Sequence, residues 1–398
     1  MSNLLYISTL SSECLINDIY KRTNENPGFA VQKFSRLLVK GFLMNYTECQ
    51  ALSVPPVTKR YTKKIWINLP NEKEDDVQYN YIPFINIPII KHISIIVYTF
   101  FYVLFWAISN RGKKAVVCDV LCISTSIGAL LASKLAGVMN VAVVTDIYDQ
   151  MVGKKTTGLN AIIKELAGKL NRLYNRMFSR YVLLTEAMNE IVNLNKKPYC
   201  IVEGLVDHSS DFQSENIQKS YPRVIMYAGG LEEKYGLKML VDSFRTLQIP
   251  DVELHLYGSG SFVNQLMLDI QEDKRIKYFG VKSNEDIVLA ESQATLLVNP
   301  RFSTEEFAKY SFPSKNMEYM LSGTPLLTTK LPGMPKEYYP FVYLFEEESV
   351  YGFATIMDKI MSLPTQELYN KGLLARDFVF RYKNNRLQAK RIIEFIDS

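Results

Sequence analysis

Residues 294–325 read ATLLVNPRFSTEEFAKYSFPSKNMEYMLSGTP. The stretch opens on a short apolar strand at 294–298 and crosses a polar loop to Pro313. Residues 314–321 then have helical character, and Gly323 and Pro325 supply the stop. A helix that begins at Ser314 turns its free backbone N–H groups and its positive dipole end toward an anion. Lys315 in that first turn adds a point charge suited to a phosphate. Glu318, one turn on, is an acceptor able to take both hydroxyls of a ribose.

The same strand–loop–helix rhythm runs outward in both directions. Strands are expected at 223–228, 252–257 and 276–279 in the second half, with helices after most of them. In the first half they are expected at 4–10, 65–68, 84–90, 115–121, 141–145 and 181–185. Short apolar strands alternating with patterned helices imply an α/β protein whose parallel sheets are covered on both faces. The polar stretch 208–220 looks like a surface linker, so two Rossmann-like domains follow one another.

A chain of 398 residues is long enough for two domains with separate cores. Its composition, 47% apolar and 22% charged, excludes collagen-like, low-complexity and wholly disordered classes. Five Cys without a CxxC pair, with only three His, argue against structural zinc and for reduced thiols in a cytoplasmic protein. His92, His208 and His255 read as structural or exposed. No basic n-region followed by an apolar h-region opens the sequence.

The charge is divided. Residues 1–205 carry 24 Lys+Arg against 15 Asp+Glu, and the remainder carries 22 against 26, so +9 and −4 sum to the net +5. A basic first half fits an anionic membrane or a phosphate-bearing substrate; no nucleic-acid-binding signature occurs. Lys169, Arg172, Arg176 and Arg180 share one helical face opposite an apolar stripe that includes Leu170, Leu173 and Met177. Ile93–Ser109 is 17 residues without a charge, slightly short for a span of about 20. The flanking strands 84–90 and 115–121 read as one sheet, which forbids a crossing. The expectation is therefore a helix buried on that sheet, with an interfacial helix as the alternative.

At this point the sequence resembles the GT-B glycosyltransferases of the retaining class that includes many bacterial polysaccharide-assembly enzymes. SFPSKNMEYMLSGTP (311–325) is close to the FPSK-x-x-EYM-x-x-G-x-P form of capsule and exopolysaccharide transferases. VTDIYD (144–149), LLTEAMN (183–189), VEGLVD (202–207), YAGGLEEKYG (227–236) and LYGSG (256–260) are similar to other family segments, in family order. The resemblance implies domains at 1–206 and 207–380 facing across a cleft, with a 381–398 helix returning to the first. It implies interdomain closure as a gate. It also implies a donor nucleotide-sugar in the second domain, an acceptor held by the first, and no metal or cofactor.

Residue by residue, the resemblance assigns the donor to Gly229, Gly230, Lys234, Gly258, Gly260, Arg301, Tyr310, Ser311, Phe312, Pro313, Ser314, Lys315 and Glu318. Lys234, Arg301, Lys315 and Glu318 are the catalytic candidates, because charge grows on the departing phosphate. Gly28, Cys122, Asp146 and Asp149 are the acceptor candidates. Three departures stand out. The first of the family's paired Glu is Tyr310, its GRL turn reads Gly229-Gly230-Leu231, and a family His is Cys122. Arg301 and Lys315 are the candidates to replace the missing positive charge.

The function so implied is sugar transfer, with retention and without metal, to a lipid-linked saccharide. It would take place at the cytoplasmic face of a membrane, in bacterial surface polysaccharide synthesis. The rivals are a non-catalytic GT-B subunit, a nucleotide-sugar epimerase without a visible acid/base pair, and a dehydrogenase, which lacks GxGxxG after its first strand.

Overall fold

In the computed structural model, residues 3–45, 48–147, 168–209 and 218–398 are described. The apolar runs of the first half become a sheet of eight strands in the order β10-β9-β8-β7-β1-β2-β5-β4. Its members are β1 (Asn3–Ser8), β2 (Cys49–Ser53), β4 (Glu72–Glu74), β5 (Val77–Tyr81), β7 (Lys114–Asp119), β8 (Met139–Val144), β9 (Arg180–Leu183) and β10 (Tyr199–Ile201). All pair in parallel except β4 with β5. The central strands are buried on both faces, as the unbroken apolar runs require: Leu4 to Ile7 and Ala115 to Cys118 are at most 1% exposed.

Two expected strands left that sheet. Residues 65–68 and 84–90 contribute only β3 (Trp66–Ile67) and β6 (Phe84–Ile85), an antiparallel ribbon of its own. Pro83 precedes the second run and Pro88 interrupts it, which denies it ladder donors. The sheet instead takes β2 and β5, whose mixed CQALS and VQYNY the apolar pattern passed over.

Among the described residues the helices of this unit include α1 (Glu13–Thr23), α2 (Phe29–Met44), α3 (Ile90–Ser109), α4 (Ile123–Leu135) and α5 (Glu186–Val192). Residues 168–175 are helical too and carry Lys169 and Arg172, but Arg180, expected on the same face, opens β9 instead. α3 packs tightly against α4, where a Cβ on Gly128 would lie 2.5 Å from the Ile96 carbonyl oxygen. The helix is not buried on the sheet as expected. Ile95, Thr99, Val103 and Trp106 face inward, while Phe101, Phe105 and Ile108 are 63%, 72% and 74% exposed. The expectation failed because a helix apolar all round carries no phase to say which side is covered.

The second half forms a six-stranded, all-parallel sheet in the order β13-β12-β11-β14-β15-β16. Its strands are β11 (Arg223–Gly230), β12 (Val252–Ser259), β13 (Ile276–Tyr278), β14 (Leu296–Asn299), β15 (Leu326–Thr328) and β16 (Tyr343–Leu344). The helices are α6 (Leu237–Thr246), α7 (Val263–Glu272), α8 (Asn284–Gln293), α9 (Ser314–Leu321), α10 (Val350–Met361) and α11 (Thr365–Tyr382). Apolar cores lie on both faces, one around Phe244, Leu254 and Phe353, the other around Met226, Tyr319 and Tyr338.

By contacts the chain divides into Met1–Leu205 with Asn385–Ser398, and Val206–Asn384. The C-terminal helix expected at 381–398 starts later, because α11 runs on to Tyr382. Lys383 is held by Glu337 at 2.6 Å and Asn384 bridges Val206, so α12 (Asn385–Asp397) begins only at Asn385. α12 belongs to the first unit because Gly41 on α2 leaves room for it: a Cβ there would lie 2.3 Å from the Asn385 carbonyl oxygen.

Candidate functional site

The C-terminal ends of β11, β12 and β14 and the N-terminus of α9 come together in the second unit. α9 begins at Ser314 as expected and no side chain caps it; the Asn316 N–H donates to the Pro313 carbonyl, which leaves those of Ser314 and Lys315 for a ligand. The motif that follows divides its side chains by task. Asn316 Oδ1 accepts from Asn299 Nδ2 at 2.7 Å, which fixes the helix start to the end of β14. The Tyr319 hydroxyl accepts from the Ala228 N–H at 2.8 Å and donates to the Ala228 carbonyl at 3.0 Å, which fixes the second turn to β11.

Lys315 is thereby aimed across the end of β11. Its Nζ lies 3.1 Å from the Tyr227 hydroxyl and 4.6 Å above that ring. A Cβ on Gly229 would sit 1.4 Å from the ammonium nitrogen, so only glycine lets the lysine pass. Gly258 on the next strand is just as confined, since its Cβ would come within 1.8 Å of the Gly229 carbonyl oxygen. Burial, and then the nearby Arg301 charge, lower the Lys315 pKa to about 8, with Glu318 and Glu291 opposing the shift. A cation held short of water in this way is worth most to an incoming phosphate.

The missing arginine of the glycine turn has a structural counterpart. A Cβ on Gly230 would touch the Tyr235 ring at 3.2 Å, so Tyr235 lies against the position where that side chain would start. The Arg301 guanidinium stacks on Tyr235 at 5.3 Å and on Phe307 at 5.1 Å. Lys234 is exposed in the short turn Glu233–Tyr235, 5.2 Å from the Tyr235 ring centre. Gly260 packs under Leu231, where a Cβ would be 2.2 Å from the Leu231 carbonyl oxygen.

The remaining donor candidates divide. Glu318 is half-buried on α9 and acts on Lys315 through charge. Tyr310 and Ser311 are half-buried in the loop before α9, and Ser314 is exposed at its start. Phe312 instead sends its ring into the core against Tyr338, 5.2 Å between centroids, and Pro313 is buried as the residue before the helix. Tyr227, Tyr235, Asn316 and Tyr319 were given no role from the sequence. Their signal was present in the motifs, but aromatic and amide side chains there read equally well as core.

In the first unit, Cys122 and Asp146 lie past the ends of the neighbouring strands β7 and β8. Cys122 precedes the first residue of α4, and burial pushes its thiol up to about 11. The Asp146 carboxylate accepts from the Ile147 N–H at 2.8 Å. Gly28, in a left-handed conformation with φ +86°, precedes α2, and the Asn26 side chain accepts from the Gly28 and Phe29 N–H groups. Asp149 lies outside the described residues. His92, read as structural or exposed, bonds Ser124 on the first turn of α4 at 2.7 Å. The Lys91 ammonium, next to it, acts electrostatically on Cys122.

Two Rossmann-like sheets in sequence, the second with a glycine-lined strand edge under a lysine-bearing helix start, define the GT-B fold of glycosyltransferases. Residues 208–371 match the family of glycosyl transferases group 1. The chain is similar over 99% of its length to 99% of the Anabaena protein Alr3699/HepE, solved with UDP and glucose, at 14% identity and TM-score 0.63. The lipopolysaccharide outer core galactosyltransferase WaaB matches over 99% of both chains at 14% identity and TM-score 0.61. Sucrose-phosphate synthase from Thermosynechococcus elongatus matches 99% of this chain and 98% of its own at 11% identity and TM-score 0.64. At such identities the likeness is one of fold. No curated protein matches the sequence.

Proposed function

We propose that the protein transfers a sugar from a nucleotide-sugar donor, with retention and without metal, to a lipid-linked saccharide at the cytoplasmic face of a membrane. The observation that carries the donor half is the convergence of Lys315 and the uncapped start of α9 on the Gly229 backbone. As the bond to the anomeric carbon breaks, charge grows on the leaving diphosphate. Lys315, Arg301 and the α9 N–H groups lie at the C-terminal ends of the central strands β11 and β14, with Lys234 near Arg301's partner ring, to meet that charge. Glu318 is the residue for the ribose hydroxyls.

The acceptor hydroxyl attacks from the face the diphosphate leaves, and its proton passes to the leaving phosphate, so no separate general base is needed. Cys122 and Asp146, with Gly28 and Asp149, are the residues for the acceptor. The net +9 of the first 205 residues suits a diphosphate-bearing acceptor in an anionic leaflet, as in the synthesis of bacterial surface polysaccharide.

The test is a thermal-shift panel of UDP, GDP, dTDP and ADP in EDTA, on wild type and Glu318→Ala, with UDP first because the Anabaena protein was solved with it. A nucleotide at 100 times its dissociation constant adds about 2.7 kcal/mol to stability. A shift in the wild type, much reduced in the variant, supports the reading. No shift with any nucleotide overturns it in favour of a non-catalytic GT-B subunit.

A further inference from the structure

The outward face of α3 is a continuous apolar stripe. Ile93, Val97, Phe101, Phe105 and Ile108 recur at three- and four-residue spacing and are all exposed. With 1.5 Å of rise per residue the stripe is roughly 22 Å long. Trp66, 56% exposed on the β3–β6 ribbon, stands beside it, and the two elements enclose an open groove of about 670 Å³. An exposed patch of this extent marks an interaction site.

Charge identifies the occupant. No Asp or Glu occurs between Asp76 and Asp119, the segment that contains the whole stripe. Exposed Lys59, Lys63 and Lys64 precede Trp66 in the chain, and exposed Arg111 and Lys113 follow the far end of α3. Lys113 has one partner, Asp397 at 3.8 Å, itself at the surface. An apolar centre with aromatics and basic flanks is complementary to an anionic bilayer surface. A second copy of the chain would bring basic flanks against basic flanks whether the two helices ran parallel or antiparallel. A span is excluded by topology: β5 before the helix and β7 after it belong to one sheet.

We infer that α3 and Trp66 form the surface by which the protein lies on an anionic bilayer, with the helix in the interfacial plane and its aromatics among the acyl chains. This specifies the membrane part of the proposed function. It is tested without any sugar transfer, so either can fail while the other stands.

The whole chain provides its own reporter. It has two tryptophans, and Trp106 is buried at 4% exposure, so a vesicle-induced blue shift of emission reports Trp66. Wild type, Phe101→Ser/Phe105→Ser and Trp66→Phe are mixed with vesicles of phosphatidylcholine alone or with 30% phosphatidylglycerol, and both emission and co-sedimentation are read. The substituted side chains are exposed, and unchanged melting temperatures verify the fold. The expected result is binding to the anionic vesicles, weakened at least tenfold in the double variant and by 0.5 M salt, with the blue shift lost in Trp66→Phe. Absence of binding, or binding that the double variant leaves intact, overturns the inference. So does a dimer in sedimentation equilibrium that the double variant dissolves, since the face would then belong to a second copy.

Discussion

The ammonium of Lys315 occupies the space in which a side chain on Gly229 would begin, 1.4 Å from the position of its Cβ. The glycine and the lysine come from elements 86 residues apart in the chain, so each constrains the other. Gly229→Ala must push Lys315 off Tyr227, and it adds strain because Gly229 has φ +152°. The expected outcome is at least a tenfold rise in the dissociation constant for a nucleoside diphosphate, measured by calorimetry. Unchanged affinity would mean that Lys315 does not touch the phosphates.

The depressed pKa of Lys315, about 8, gives that contact a pH signature. In the unfolded chain the lysine titrates near its ordinary value of 10.5. The fold thus favours the neutral amine: stability rises with pH between about 8 and 10.5, and the burial penalty is fully present below 8. Binding runs the other way, because a diphosphate requires the ammonium. Affinity should hold steady from pH 6 to 7.5 and fall toward tenfold per unit above pH 8 in the wild type. Lys315→Met should be weak throughout and lack that fall.

Arg301 is held by two aromatic faces rather than by the glycine turn. If its guanidinium supplies charge to the leaving phosphate, Arg301→Ala should lower kcat on the order of 10²-fold, the scale set by loss of one stabilising group at a developing anion. Tyr235→Ala removes only one stacking face, and a loss of about fivefold to tenfold is expected. A Tyr235→Ala variant as damaged as Arg301→Ala would assign the tyrosine a direct contact with the donor instead.

Much of the strand end around Lys315 was legible in the sequence. Strand 294–298, helix start at Ser314 and the lysine one residue later each carry a local signal: an apolar run, a proline and a charge at a helix N-terminus. The clamp made by Asn316 and Tyr319 was not legible, because its partners Asn299 and Ala228 lie 17 and 91 residues away. The same holds for Tyr235, whose meaning depends on Arg301 reaching it. In the first unit, β2 and β5 escaped notice because their polar residues break the apolar run. The outward face of α3 was only the alternative reading, because uniform hydropathy records composition and not orientation.

Asp119, at the end of β7 and 2% exposed, gives the first unit a titration of its own. Desolvation raises its pKa from 3.8 to about 6, against a bond accepted from the Leu121 N–H at 3.0 Å. A carboxyl raised in the fold binds its proton more tightly there than in the unfolded chain. Stability is therefore lost as pH climbs from about 4 to 6, by about 3 kcal/mol at 1.4 kcal/mol per unit, and the penalty is complete above 6. Asp119→Asn keeps the acceptor for Leu121 and removes the charge. Urea titrations at pH 4 and pH 7 should show the variant gaining on the wild type by about 2–3 kcal/mol between the two. A difference that does not change with pH would mean that Asp119 is ionised throughout, held by a partner that offsets its burial.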